Sequence, residues 1–212
     1  MKFTLLLIAI NVLVFLYTFP NIDYYTDSYG FSTESFLAGE YYLPITAMFL
    51  HFDWPHLIGN MLGLLFLGGA VESQIKGTKY VIIYLIAGIL GSFTAFIPIF
   101  GYSPDTIFAG ASAAISGIIG IGIFVCPGKW TLNPFTFIIP IPFIVVAALF
   151  FISNGFSLFE NTGTAYPAHL AGMFAGMFFG LFWGERRIFS FLMFIFLIGL
   201  ILAMPFILRA IL

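Results

Sequence analysis

Two segments of this strongly apolar sequence carry side chains that could act together as a nucleophile and a base. Ser112 lies in GASA and His169 lies in AHLAG, each near the start of an apolar stretch. A serine hydroxyl is a weak nucleophile until a neutral imidazole within about 3 Å accepts its proton. The two residues therefore predict nucleophilic catalysis of hydrolysis, provided that the fold brings them together.

A second pair of polar residues could stabilise the negative charge that develops in such a reaction. His56 and Asn60 are four residues apart and share one face of a helix. Together with the backbone amide of Ser112 at a helix start, they are candidate donors to an oxyanion. The stretch that carries His169 contains no Asp or Glu, and Glu160 lies in the preceding loop. We therefore predict a Ser–His dyad rather than a triad.

The composition indicates that these residues lie in a membrane. Hydrophobic residues make up 61% of the 212 residues and charged residues only 8%, a balance that a soluble single domain does not have. We predict an all-α, polytopic membrane helical bundle with six core transmembrane helices plus one C-terminal helix. The seven apolar windows are residues 3–19, 56–71, 80–100, 111–125, 135–152, 166–183 and 188–208.

The windows divide the chain into a core and an addition. Residues 1–185 are the predicted six-helix core, and residues 186–212 form an additional C-terminal transmembrane helix. The connection 20–55 is a long outer loop that is partly interfacial, because its second half is apolar but interrupted by Glu40 and Pro44. Pro140 and Pro142 either delay the start of the fifth helix or form a hinge.

The basic residues predict the orientation of the chain in a cell membrane. With a cytoplasmic N-terminus, six of the seven basic residues fall inside, as the positive-inside rule requires, and only Arg209 falls outside. The candidate site then opens to the extracytoplasmic side. The scattered cations and the net charge of -2 give no nucleic-acid surface. The six inside residues are Lys2, Lys76, Lys79, Lys129, Arg186 and Arg187.

Small residues predict which helices pack together. The second, fourth and sixth windows run in the same direction, so His56, Ser112 and His169 lie at similar depth. Glycines follow His169 at offsets that keep them on its helix face, and small residues such as Ala113 and Ser116 accompany Ser112. Such faces allow close helix approach, so we expect the fourth helix to pack on the sixth. The glycines are Gly172, Gly176 and Gly180.

The fourth window is too short to cross a bilayer unaided. Residues 111–125 span about 22 Å as a helix, against a hydrocarbon core of about 30 Å. If the inner end is anchored near Lys129, Ser112 lies below the outer surface. We therefore predict a water-filled depression leading to it.

Three segments resemble the signature segments of the rhomboid intramembrane serine proteases. They are HFDWPHLIGNMLGLLFLGGAVE (51–72), GASA (110–113) and AHLAGMFAG (168–176), in the same order as in that family. The resemblance implies Ser112 as nucleophile, His169 as general base, and His56 and Asn60 as oxyanion-hole donors. Two residues near the site depart from the family pattern: Ala113 replaces the glycine usual after the nucleophile, and Ser116 replaces an aromatic residue. Gly110, Gly172 and Gly176 follow the pattern as structural residues near the site.

The resemblance also implies an activity. A rhomboid-like serine endopeptidase cleaves single-pass membrane proteins in or near the outer part of the transmembrane segment. The substrates enter from the lipid bilayer, sideways past the fifth helix and the first loop. No metal, nucleotide or other cofactor is implied.

Other interpretations of these residues remain open. The main alternative is a non-catalytic rhomboid-like protein that binds membrane clients. A metal-dependent hydrolase would typically carry the motif HExxH, which the sequence lacks. A channel would need polar residues that continue from Ser116 towards the inner face. Ser116 itself could bond back to its own helix, and His56 with Asn60 could simply join two helices. His51 is expected to be structural or interfacial.

Overall fold

Helices make up most of the part of the chain that the structure describes. The computed structural model describes residues 1–132, 139–158 and 163–183, and beyond them the helical residues 188, 191–193, 195–196, 198–200 and 203. Among these residues the only sheet is a pair of two-residue antiparallel strands, β1 (Trp130–Thr131) and β2 (Ile141–Pro142). The all-α prediction is therefore confirmed. The predicted boundary between 185 and 186, and much of the seventh window, lie outside the described residues.

Most helices up to residue 183 follow the predicted windows closely, and the sixth window coincides with its helix. The helix of the fifth window, predicted at residues 135–152, instead begins at Phe143 and ends at Phe156. Its start directly after Pro142 agrees with the alternative in which the two prolines delay the helix. In chain order they are α1 (Lys2–Thr18), α2 (Ile22–Tyr29), α3 (Thr33–Leu37), α4 (Leu43–Thr46), α5 (Trp54–Gly63), α6 (Gly69–Glu72), α7 (Gly77–Ser92), α8 (Ser112–Val125), α9 (Phe143–Phe156) and α10 (Tyr166–Trp183).

Among the described residues, three helical stretches are long and apolar enough to cross a membrane. They are Lys2–Tyr29, Trp54–Glu72 and Gly77–Phe96. The first runs past its predicted end at residue 19 into the expected loop, because Pro20 lies in the first turn of a 3₁₀ segment (Phe19–Asn21), where no amide is needed. Much of the predicted loop 20–55 is therefore helical.

The second stretch contains a local irregularity. A π-helical turn, Leu64–Gly68, joins α5 to α6. Such turns disturb the regular backbone hydrogen bonds. The carbonyl of Phe66 in this turn accepts a bond of 3.2 Å from the Thr131 hydroxyl. The strand pair after α8 is thereby joined to the middle of the second stretch.

Helix α8 lies at the centre of the bundle. All its residues from Ala113 to Phe124 are buried, as expected of a helix that is apolar all round. It contacts α7 and α10 along its length, and α9 packs on both α8 and α10. A Cβ added to Gly172 would lie 2.1 Å from the Ala113 carbonyl oxygen, and one added to Gly176 would lie 1.8 Å from that of Gly117. The predicted packing of the fourth helix on the sixth is confirmed.

Polar side chains fix α1 to the bundle at the end remote from Ser112. The Glu72 carboxylate, at the end of α6, accepts a bond of 2.7 Å from the Thr4 amide and lies 2.6 Å from the Thr4 hydroxyl. It thus pairs an amide that the first turn of a helix leaves free. Further along, Asn11 lies 3.2 Å from the Tyr84 hydroxyl of α7. In a membrane the hydrophobic effect does not drive helices together, because lipid is as apolar as they are, so these hydrogen bonds contribute to the association of α1 with the bundle.

At the opposite end, the long first connection holds the loop that precedes α8. Phe31 and Phe108 exchange backbone hydrogen bonds of 2.9 and 2.7 Å. Their side chains pack with Leu43 and Ala47 in a small separate core. The Gly110 amide donates to the Ala47 carbonyl at 2.9 Å. The backbone that leads into Ser112 is therefore fixed on both sides.

Candidate active site

Ser112 is the first residue of α8, directly after a turn that needs glycine. Gly110 has φ +123°, a region that residues with a Cβ rarely adopt. The chain changes direction there and enters α8, so the Ser112 amide lies at the positive end of the helix dipole. The turn thus places a hydroxyl and a backbone donor at the same helix start.

His169 lies in the first turns of α10 and faces this hydroxyl. Its Nε2 is 2.8 Å from the Ser112 Oγ. That distance depends on the glycine contacts between α8 and α10, since any side chain at Gly172 would separate the two backbones. The structure therefore brings together the two residues that the sequence singled out as nucleophile and base.

A third group, which the sequence analysis missed, contacts the far side of the imidazole. The Oδ1 of Asn154 on α9 is 2.8 Å from the His169 Nδ1, and the Asn154 side chain is only 4% exposed. Its Nδ2 donates to the carbonyl of Phe150 at 2.8 Å, and the Phe150 ring lies 6.0 Å from the imidazole.

Asn154 was missed for two reasons. The sequence prediction considered only a carboxylate as the partner of His169, and the fifth window ended at residue 152, whereas α9 continues to Phe156. The signal that could have identified Asn154 is an amide in a strongly apolar segment, because polar side chains at membrane depth are costly. The group that contacts the far side of the imidazole is thus an amide, and the Ser–His dyad stays a prediction.

His56 and Asn60 lie beside the turn at Gly110. A Cβ added to Gly110 would be 2.7 Å from the His56 Nε2 and 3.6 Å from the Asn60 Nδ2. Asp53 fixes the start of α5 by accepting a bond of 2.7 Å from the His56 amide. The Asn60 Nδ2 is buried and has no hydrogen-bond partner among the described residues. Leaving a buried donor unpaired lowers the free energy of unfolding. The same unpaired donor is what an oxyanion at this position would require.

His51 has the structural position that was expected of it. Its side chain is fully buried, and its ring lies 5.0 Å from that of His56. Burial, and then the neighbouring His56, lower the pKa of His51 to about 3. His51 is therefore neutral near pH 7 and packs against His56 without adding a charge.

A cavity of about 790 Å³ leads to these residues. Ser112, His169, His56 and Asn60 all line it, together with residues 100–103 and 106–110 and residues 163–165. The depression predicted from the short fourth helix is present. It is large enough to admit water together with a segment of polypeptide.

A second, apolar cavity of about 190 Å³ lies between α5, α8 and α9. Ser112, Asn60 and His169 also line this cavity, so both cavities meet at the candidate nucleophile. Its other lining residues are Gly59, Gly63, Leu67, Ile115, Ile119, Val146 and Phe150. The contact between α8 and α9 therefore leaves open space beside Ser112, whereas α10 packs closely on α8.

The two departures from the resembled family are accommodated by neighbouring residues. A Cβ added to Gly91 on α7 would lie 2.4 Å from that of Ala113, so the Ala113 methyl group uses space that Gly91 leaves. Ser116 is buried, and its hydroxyl donates to the Ser112 carbonyl at 2.7 Å. This confirms the prediction that Ser116 bonds back to its own helix. The aromatic contact to His169 comes from α9 instead.

The described residues contain no group of three His, Cys, Asp or Glu side chains placed to hold a metal ion. The three histidines are close to one another but face different partners. His51 is buried behind His56, and His169 lies between Ser112 and Asn154. The chemistry available to this geometry is proton transfer and nucleophilic attack.

The sequence is similar to several curated proteins. It is 36% identical over 128 residues to the rhomboid protease GluP of Bacillus subtilis (58% of this chain, 24% of that protein). It is 27% identical over 168 residues to RHOMBOID-like protein 12, mitochondrial, of Arabidopsis thaliana (72% and 49%). It is 32% identical over 107 residues to RHOMBOID-like protein 2 of Arabidopsis thaliana (50% and 32%). These matches span about a quarter to a half of the relatives' length.

A family comparison covers the site as a whole. The Rhomboid domain matches residues 38–186, a range that includes α5 to α10 and every candidate site residue named above. The chain is thus a multi-pass membrane protein whose relatives include a named protease. Because this match extends over well more than half of its residues, the chain belongs to the rhomboid family.

Proposed function

We propose that the chain is an intramembrane serine endopeptidase that cleaves single-pass membrane proteins in or near the outer part of their transmembrane segment. The observation that carries this proposal is the distance of 2.8 Å between the His169 Nε2 and the Ser112 Oγ, at the point where the two cavities meet. Membership of the rhomboid family and the similarity to a named protease support it.

The first half of the reaction forms an acyl-enzyme. The Ser112 Oγ attacks the carbonyl carbon of the scissile peptide bond, and its proton passes to the His169 Nε2. The carbonyl oxygen becomes an oxyanion, which the Asn60 Nδ2, His56 and the Ser112 amide stabilise by donating hydrogen bonds. The C–N bond then breaks, and the His169 imidazolium donates its proton to the leaving amine.

The second half consumes one water molecule. His169 accepts a proton from water, whose oxygen attacks the acyl carbon of the ester. The C–O bond to Ser112 breaks, and the proton returns from His169 to the serine oxygen. The larger cavity is the route for this water, because it connects Ser112 to the end of the bundle where the loops lie.

Substrate entry uses the other cavity. The space between α5 and α9 is apolar and ends at Ser112 and His169, so a transmembrane segment can approach it from the bilayer. A loosely helical segment is the better substrate, because a peptide bond within a regular helix is shielded from attack. In this proposal residues 1–185 form the protease core, and residues 186–212 form an additional transmembrane helix.

The described lysines support the orientation of this site towards the extracytoplasmic side. Lys2, Lys76, Lys79 and Lys129 belong to the ends of helices remote from Ser112. Cationic residues favour the cytoplasmic face of a membrane. The N-terminus is then cytoplasmic, in the cell membrane.

The decisive experiment compares purified protein in lipid vesicles with single-residue variants. Ser112→Ala and His169→Ala remove the nucleophile and the base, and Ser116→Ala is the matched control, since its hydroxyl bonds only to the backbone of its own helix. Each is mixed with a panel of model single-pass substrates and, separately, with a fluorophosphonate probe. We expect cleavage and labelling in the wild type and in Ser116→Ala, and neither in Ser112→Ala.

The opposite outcome identifies the alternative function. If the folded wild type binds the model substrates, cuts none of them and never reacts with the fluorophosphonate, the chain is a non-catalytic rhomboid-like protein that binds membrane clients. Cleavage that persists in Ser112→Ala would also contradict the proposal, because another nucleophile would then be responsible.

A further inference from the structure

We propose that Asn154 is a positioning residue that selects the Nδ1–H tautomer of His169. This inference deepens the proposed function and rests on it for its catalytic meaning. Neither the resemblance nor the family match assigns a role to Asn154. The contact that carries it is the distance of 2.8 Å between the Asn154 Oδ1 and the His169 Nδ1.

The direction of this hydrogen bond follows from the other end of the amide. The Asn154 Nδ2 donates to the Phe150 carbonyl at 2.8 Å. A carbonyl can only accept, so the nitrogen of the amide faces Phe150 and the oxygen faces His169. The amide oxygen can only accept as well. The His169 Nδ1 must therefore carry the proton that it donates to Asn154.

The consequence lies at the other ring nitrogen. A neutral imidazole carries one proton, so a protonated Nδ1 leaves the His169 Nε2 as an acceptor. The Ser112 hydroxyl, 2.8 Å away, can then donate to Nε2. This is the protonation state that a general base needs before the reaction begins. With the Nε2–H tautomer, the same geometry would leave His169 unable to accept the serine proton.

An amide suits this position better than a carboxylate would. The Asn154 side chain is only 4% exposed, and apart from the exposed Ser153 the rest of α9 is apolar. A buried carboxylate beside a neutral imidazole would carry an uncompensated charge at membrane depth, which is costly. The neutral amide fixes the ring and its tautomer without that cost. It also compensates for Ser116, which leaves His169 without an aromatic residue from α8.

The experiment uses two substitutions of Asn154 and one control on the same helix. Asn154→Leu keeps the approximate size of the side chain and removes the acceptor, whereas Asn154→Asp keeps an oxygen facing Nδ1. Ser153→Ala is the control, because the Ser153 hydroxyl is exposed and bonds only to the Phe150 carbonyl. The measurements are kcat and KM on a model substrate, the rate of fluorophosphonate labelling, and ¹⁵N NMR of the histidine tautomers.

We expect Asn154→Leu to lower kcat and the labelling rate by the same factor, about ten- to a hundredfold, with KM unchanged. Asn154→Asp recovers most of the loss of kcat, because an oxygen still accepts from Nδ1, but lowers the stability through its buried charge, and Ser153→Ala behaves as the wild type. In the wild type, NMR should show His169 as the Nδ1–H tautomer, and Asn154→Leu should shift it towards Nε2–H.

Two results would overturn the inference. One is a wild-type His169 that NMR finds as the Nε2–H tautomer. The other is an Asn154→Leu protein that labels at the wild-type rate. The tautomer measurement does not depend on activity, so it still decides the role of Asn154 if the folded wild type proves inert, an outcome that would refute the proposed function alone.

Discussion

The two sides of α8 are packed in opposite ways. Towards α10 the backbones touch, and a Cβ at Gly176 would lie 1.8 Å from the Gly117 carbonyl oxygen. Towards α9 the contact is made by side chains of α9, such as Phe143, which packs on Gly122, and a cavity of about 190 Å³ remains. Both sides contact the same candidate residues, because Ser112 and His169 lie where they meet. Close packing holds the candidate nucleophile and base at a fixed distance, and the looser contact with α9 leaves the space that the proposed function requires for a transmembrane substrate segment.

The difference follows from the residues on each helix. Packing through glycine excludes rotamer freedom, since no side chain lies between the two backbones. The α9 side instead relies on Val146 and Phe150, which can change rotamer or move with their helix. The proposed protease activity needs both properties, because the proposed catalytic pair must not move while a transmembrane segment enters and leaves.

The largest expected effect comes from disrupting the close packing between α8 and α10. Gly176→Ala places a methyl group against the Gly117 carbonyl, and neither backbone can give way without separating α8 from α10. We expect the free energy of unfolding to fall by about 1–3 kcal/mol. Cleavage should fall about a hundredfold, because a displacement near 1 Å at reacting groups has that effect. Thermal unfolding and cleavage assays in lipid measure the two.

The matched control for this prediction is Gly59→Ala in α5. It makes the same substitution in a helix, but a Cβ there has no neighbour within 4 Å. Gly59→Ala should be as stable as the wild type or slightly more so. If Gly176→Ala were equally harmless, backbone contact would not be what fixes the Ser112 to His169 distance.

A smaller effect is expected at the turn before α8. Gly110→Ala is strained by about 1–3 kcal/mol at φ +123°, and its methyl group would lie 2.7 Å from the His56 Nε2. The turn should shift and misalign the oxyanion donors, lowering kcat about ten- to a hundredfold with little change in KM. Gly101→Ala also has a positive φ, at +69°, but no neighbour within 4 Å. Equal losses of kcat in both variants would show that backbone strain, and not His56, is responsible.

The smallest effect is expected from filling the apolar cavity between α5, α8 and α9. Gly59 lines both cavities, and Gly59→Leu would extend into open space between α5 and α9. Removing about 1 kcal/mol of substrate burial there should lower kcat/KM for membrane substrates about fivefold. Fluorophosphonate labelling should change much less than cleavage, since a small probe still reaches Ser112 through the remaining space of the larger cavity. Loss of labelling would mean that the leucine disturbs the site itself.

The sequence predicted the close contact between α8 and α10 better than the looser contact between α8 and α9. Gly172 and Gly176 repeat at helical spacing from His169, and a stripe without side chains has few uses in a membrane other than close helix contact. The positions of His56, Ser112 and His169 near the starts of their helices were also predicted from the apolar windows alone. These signals are local in the chain, so one sequence is enough to read them.

The missed features depend on contacts between distant parts of the chain. Asn154 is 15 residues from His169, and nothing in its own segment shows which ring it faces. The space for the Ala113 methyl group comes from Gly91 on another helix. The helical continuation through Pro20 was obscured because proline usually ends a helix, and only its place in a 3₁₀ turn makes it acceptable.

The length of α9 has a consequence for the surrounding lipid. Its 14 residues extend about 21 Å along the helix axis, which is shorter than a hydrocarbon core of about 30 Å. Unlike α8, it turns apolar residues outwards, including Leu149 and Ile152, so the bilayer itself must adapt. Hydrophobic mismatch of this size thins the adjacent membrane. Lipids beside α9 are then compressed at the place where a transmembrane substrate segment would arrive. The arrival of such a segment is therefore expected to depend on the thickness of the membrane.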